Sequence, residues 1–266
     1  MRTKLSFIGD NDLASVEQDA RFAAEHGFEG LEYNYWGNFA ELGEDTVRAM
    51  RRIHRAYGVK CVMLGIWGWN HLSQDQDERA KAHAMLERAI AYGQILEAET
   101  LTTGGGVYSD QLAENVAEFL RVFPPYLERI RAAGMVSAFY AVHGKSFFTS
   151  LAAYEAVWAD CPRVTIKFDP ANWRHHGDDY LEVLRKHGDK IGHLHLKEHL
   201  YHNGDLASQP PVGMGDIEWG KVFAFLYEHR YNGALSIEPH GPIWAKGDMR
   251  RKLLVLTQRH LAPFLI

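Results

Sequence analysis

Eight short β-rich runs recur along the chain, each separated from the next by a stretch with helical periodicity. They are KLSFIGD (4–10), GLEYNYW (30–36), VKCVMLGIW (59–67), TLTTGGG (100–106), VSAFYAVHG (136–144), VTIKFDP (164–170), IGHLHLKE (191–198) and GALSIEP (233–239). Between them lie pieces such as SVEQDARFAAEHG and DERAKAHAMLERAIAYGQIL, several closing on a glycine where a helix C-cap belongs. A strand-then-helix repeat of about 30 residues is the pattern of parallel βαβ units. Eight such units in 266 residues predict an α/β protein with a single (β/α)8 TIM barrel over residues 1–266. A doubly wound open sheet is the alternative. It would want a glycine-rich phosphate turn after the first strand, and FIGDND is not one.

Composition removes several function classes. The formal net charge is −5 and no block of Lys and Arg occurs, so a nucleic-acid surface is not expected. No run approaches the roughly 20 apolar residues of a membrane span, and the first twenty residues do not read as a secretion signal. Two cysteines, Cys61 and Cys161, sit in apolar surroundings and predict reduced packing residues of a cytoplasmic protein.

In a barrel of this kind, reactive groups stand where strands end. The run VTIKFDP leaves Asp169 at a strand tip, just before Pro170. An isolated Asp there is ordinary, as a turn residue or a helix cap. The neighbouring runs change the weighing. In IGHLHLKE, alternation sets His193, His195 and Lys197 on one face; in GALSIEP and beyond it sets Ser236, Glu238 and His240 on one face. Polar groups turned inward on three neighbouring strands are costly unless they pair with one another, a metal or a ligand. Other strand-end groups are Glu32, Asn34 and Trp36, then Trp67, Trp69, Asn70 and His71, then His143 and Asn172.

Asp169, His195 and Glu238 together form a carboxylate and imidazole set suited to Mn2+, with Mg2+, Co2+, Zn2+ or Fe2+ as alternatives. Such an ion polarises a carbonyl so that a nearby base can remove the adjacent proton. Tryptophans at strand ends suit the C–H faces of a sugar, with Trp36 and Trp67 as the expected contacts. Asn172, Glu198 and His240 join them as expected substrate-binding groups, and Lys197 and Glu238 as catalytic ones.

The stretches IKFDPANW, IGHLHLKEH, PVGMGDIEWGKVFAFLYEHRYNGALSIEPHG and GMVSAFYAVHG resemble the xylose isomerase-like, sugar phosphate isomerase/epimerase superfamily, which also includes endonuclease IV. The resemblance runs in order along essentially the whole chain and is strongest from about residue 134 to 241. It implies a (β/α)8 barrel and a divalent metal held by a Glu from strand five, an Asp from strand six, a His from strand seven and a Glu from strand eight. The last three fall on Asp169, His195 and Glu238. Strand five departs from the pattern, because Ala141 stands where the Glu should be. His143 lies on the same side of that strand, about 7 Å further along. It is the expected substitute, either as a ligand or as the base.

A metal-dependent sugar or keto-sugar isomerase or epimerase is the expected function. A lyase on an oxidised glycoside, similar to the large subunit of C-glycoside-cleaving enzymes, is the alternative. A sugar-binding barrel without catalysis is a third reading. DNA repair of the endonuclease IV type is disfavoured by the net acidic charge. The expected partner is a small carbohydrate, with a homo-oligomer or a second subunit left open.

Overall fold

The computed structural model of the protein describes residues 3–141 and 144–265. Ten strands occur among these residues: β1 (Lys4–Ile8), β2 (Gly30–Tyr35), β3 (Lys60–Ile66), β4 (Thr100–Thr103), β5 (Val136–Phe139), β6 (Thr165–Phe168), β7 (Ile191–Leu196), β8 (Leu200–His202), β9 (Asp205–Ser208) and β10 (Ala234–Ile237). Eight of them close into a barrel in the order β1-β10-β7-β6-β5-β4-β3-β2. Every ladder of the barrel is parallel. These are the eight runs expected from the sequence, and the fold is the expected TIM barrel.

Alternation along each strand divides the side chains between two compartments. Phe7, Leu31, Leu64, Phe139, Ile166, Leu194, Leu235 and Ile237 are buried in the large apolar core between barrel and helices. Part of that core is a cluster of rings, in which Phe119 stacks on Phe123 at 4.4 Å and meets Phe139 and Phe148 edge-on. The other compartment is the barrel interior, where buried polar groups collect, among them Glu32, Lys167, His193 and His195.

Two features depart from simple alternation. Separate helices follow one another at Leu112–Val122 and Pro124–Ala132, and again at Pro170–His175 and Tyr180–His187. A proline opens the second member of the first pair and the first member of the second, where its missing N–H costs nothing. The other departure is the antiparallel hairpin of β8 and β9, inserted after β7. Its two-residue turn is Asn203-Gly204, with φ of 52° and 89°, the left-handed pair that a tight hairpin needs. No helix among the described residues is long and apolar enough to cross a membrane.

Candidate active site

The chain turns sharply at the tip of β6. Asp169 caps the helix Pro170–His175, its Oδ1 accepting from the Asn172 backbone N–H at 3.1 Å. The ordinary role of an Asp after a strand is therefore present. It uses one oxygen. The other, Oδ2, accepts from Asn172 Nδ2 at 2.7 Å and Tyr140 OH at 3.3 Å, and lies 3.9 Å from His195 Nδ1.

His195 comes from β7 and Glu238 from the residue after β10. Their Nδ1 and Oε2 atoms are 2.6 Å apart. Lys197 Nζ donates to Glu238 Oε1 and to Asn172 Oδ1, each at 3.3 Å, and lies 4.0 Å from Asp169 Oδ2. One potential ligand atom from each of Asp169, His195 and Glu238 lies within 4.8 Å of the others. Three adjacent strands thus bring together three of the four expected metal-ligating residues, with Lys197 and Asn172 beside them.

Burial and charge set the protonation states. Burial opposes the Glu238 carboxylate, but the Lys197 and His195 charges outweigh it and hold its pKa well below the usual range. Burial likewise opposes the Lys197 ammonium, and Glu238 and Asp169 overcome it, so its pKa rises. Asp169 goes the other way: desolvation exceeds the help of Lys197, and its pKa is raised. Burial, the largest single influence, and the Lys167 charge would lower His195, but Glu32 and Glu238 together outweigh them, lifting it to about 8.

The other expected residues divide. His240 is half exposed at the rim, with Nδ1 2.9 Å from Gln209 Oε1 and Nε2 3.9 Å from Glu238 Oε1. Trp36 is 45 % exposed, just beyond β2. Trp67 was expected beside it as a sugar contact but is 1 % exposed, and its Nε1 donates to Asn34 Oδ1 at 2.8 Å. It is a wall of the barrel interior rather than an open platform, because its strand turns it inward. Glu198 is a clearer correction. Alternation turns it away from Lys197, and its oxygens accept from the backbone N–H groups of His199, Gly213 and Ile217 and from Trp219 Nε1. It ties down the loop after the hairpin, with both of its oxygens taken up by these donors. His143 lies outside the described residues. Ala141, two residues before it in sequence, lines a cleft with Tyr140, Phe148, Asn172 and Trp173.

Four groups gained no role from the sequence and belong to the cluster. Tyr140 reaches Asp169 from the end of β5. Lys167 is 1 % exposed, with its ammonium 4.0 Å from the centre of the Tyr140 ring and 5.3 Å from that of Trp67. Glu32 and His193 are both fully buried, with Glu32 Oε2 2.8 Å from His193 Nε2. The alternation of GLEYNYW already set Glu32 and Asn34 on one face of β2. What the sequence lacked was the knowledge that side chains of β2 and β7 meet inside the barrel.

The family model described as a xylose isomerase-like TIM barrel matches residues 20–259, and the chain belongs to that family. Its fold recurs in a xylose isomerase domain protein from Planctomyces limnophilus, with a TM-score of 0.75 at 18 % identity, covering 99 % of this chain and 96 % of that one. It recurs in a D-allulose 3-epimerase from Methylomonas sp., with a TM-score of 0.79 at 16 % identity and coverage of 99 % and 98 %. The probable 3-DHS dehydratase AsbF from Bacillus anthracis, involved in petrobactin synthesis, has a TM-score of 0.73 at 16 % identity and coverage of 98 % and 99 %. At such identities the likeness is one of fold. No curated protein matches the chain.

Proposed function

We propose that this protein is a divalent-metal-dependent enzyme acting on a sugar or keto-sugar, an isomerase or epimerase that removes a proton next to a carbonyl. The observation that carries the reading is the convergence of Asp169, His195 and Glu238, whose donor atoms lie within 4.8 Å of one another at the barrel mouth. Two carboxylates and one imidazole, with no thiolate near, form a donor set that fits Mn2+ and similar hard or borderline ions. A bound ion would supply Lewis acidity to a substrate carbonyl. The epimerases among proteins of the same fold support the sugar class.

The chain's own groups supply the rest. Glu238 is held ionised, and at 14 % side-chain exposure it is the least buried of the three ligand candidates, so it can meet substrate from the open side. Lys197 stays cationic beside it and can donate to a developing oxyanion. Asn172 is fixed by Asp169 and Lys197 and can orient a hydroxyl. His240 and Trp36 stand at the rim, where the outer part of a sugar would lie.

A lyase on an oxidised glycoside is the second reading, favoured by one observation. Ala141 leaves β5 without a carboxylate, which takes away a proton acceptor that two-base epimerisation would use, whereas elimination needs one base and one acid. Two measurements test the proposal. Protein purified without chelator should hold about one equivalent of divalent metal, and Asp169→Ala should hold almost none; equal content in the two proteins would sink the metal reading. Turnover of a panel of free ketoses, against none for oxidised glycosides, separates isomerase from lyase. Turnover of neither class would leave the enzymatic reading without support.

A further inference from the structure

We infer that Glu32 is a positioning residue that fixes the ring of His195, held in place by a hydrogen-bonded line running through Asn34 to Trp67. The inference rests on the metal reading above and extends it to residues with no expected ligand role.

A fully buried carboxylate is costly unless its oxygens are satisfied. Glu32 meets that demand entirely inside the barrel. Its Oε1 accepts from Asn34 Nδ2 at 2.7 Å, its Oε2 lies 2.8 Å from His193 Nε2, and both oxygens lie about as close to His195 Nε2, at 2.9 and 3.0 Å. Asn34 can aim its amide at Glu32 because its Oδ1 takes the Trp67 indole N–H at 2.8 Å. Space for this line depends on Gly65. A Cβ there would stand 2.6 Å from Asn34 Oδ1 and 3.0 Å from the Trp67 ring.

The consequence falls on His195. Its Nδ1 faces Glu238 and Asp169, so it is the nitrogen that would ligate a metal. An imidazole can offer that lone pair only when its ring proton sits on Nε2, and the acceptor facing Nε2 is Glu32. His193 brings a second Nε2 to the same carboxylate, and its Nδ1 has no hydrogen-bond partner among the described residues. His193 therefore anchors Glu32 rather than facing the mouth. Glu32, His193 and His195 are also close enough to hold a cation of their own, so the test must separate the two arrangements.

Metal-free protein with 15N-labelled histidine is titrated with Zn2+, comparing wild type, Glu32→Gln and Trp67→Phe. Expected is one equivalent bound by wild type with the His195 proton on Nε2, affinity about 10- to 100-fold weaker in Glu32→Gln, and a smaller loss in Trp67→Phe. A role confined to folding would change the melting temperature of Glu32→Gln without changing the affinity or the tautomer. That result overturns the inference. So does binding of two equivalents by wild type falling to one in Glu32→Gln, which places an ion among Glu32, His193 and His195. If wild type binds no metal, the functional reading fails separately. The inference is then decided at about pH 10, where His195 is neutral: a proton on Nε2 supports it, a proton on Nδ1 overturns it. If Glu32→Gln does not fold, Trp67→Phe decides, since unchanged Zn2+ affinity there would remove the line from any positioning role.

Discussion

The two halves of the barrel interior differ in kind. Around β2, β1, β10, β7 and β6 the inward groups include Glu32, Asn34, Glu238, His193, His195, Lys197, Lys167 and Asp169. Around β3, β4 and β5 they are Met63, Gly65, Trp67, Thr100, Thr102, Ala138 and Tyr140. The charged half satisfies itself pair by pair, each carboxylate meeting a lysine, an imidazole or an amide. The neutral half supplies rings and small residues, and the Tyr140 and Trp67 rings face the Lys167 ammonium across the interior. Ala141 follows Tyr140 on that neutral side. The difference teaches that losing a strand-five carboxylate leaves the charged half intact, since its groups are bound to one another rather than to β5. Hydrogen bonds cross between the halves from Tyr140 to Asp169 and from Trp67 to Asn34.

The largest expected effect breaks the charged half. Glu238→Gln removes a carboxylate that meets His195 at 2.6 Å and Lys197 at 3.3 Å, leaving both cations short of a partner. Breaking such a buried pair costs about 3 kcal/mol or more, read as a fall in urea stability of chelated protein at neutral pH. The folded pKa of Glu238 lies below 4.5, so its contribution is present above that value and lost as pH falls through the folded pKa. The gap between wild type and variant should therefore close in acid. A gap that stays constant would show that packing, not charge, is lost.

Next in size is the pH response of His195. Its pKa rises on folding from 6.5 to about 8, so its contribution is fully present below 6.5 and lost as pH rises through 8. The shift corresponds to about 2 kcal/mol. Metal-free protein should lose stability by that order between slightly acid and alkaline pH, and His195→Asn should flatten the curve.

Ala141→Glu tests whether the neutral half can be recharged. One more carboxylate at the position where the resemblance implies a ligand should tighten metal binding by about tenfold, measured by competition with a chelator. Unchanged affinity would mean that position 141 does not face the site. The smallest effect belongs to Thr102. Its buried hydroxyl has no hydrogen-bond partner among the described residues, so Thr102→Val should be neutral or stabilise by up to about 1 kcal/mol. A loss of stability would reveal an unseen partner, such as a buried water, and make the second half less neutral than it looks.

Much of the site was legible because strand alternation and strand order act locally. Asp169, His195 and Glu238 could be placed together from three runs, since each run shows its inward face and the βαβ order makes the strands neighbours. The hairpin was legible too, as Asn203-Gly204 between short alternating runs, although it was not expected. Glu198 shows the limit. It follows Lys197 in the chain, and only the pleat and the returning loop decide that its oxygens serve Gly213, Ile217 and Trp219. Trp67 shows the same limit for an aromatic residue: its type suits a sugar platform, and its direction makes it a wall.

By itself the sequence determined the barrel, because eight strand-helix units with apolar outward faces have few other ways to bury them. It also determined which strands carry charge, through the period of two. The tertiary structure decided what the charges meet. Glu32 and His195 are 163 residues apart in the chain, and their contact follows from closure of the barrel, which leaves only β1 and β10 between β2 and β7. Hydrogen bonds act over about 3 Å, whereas periodicity reports only which way a side chain points.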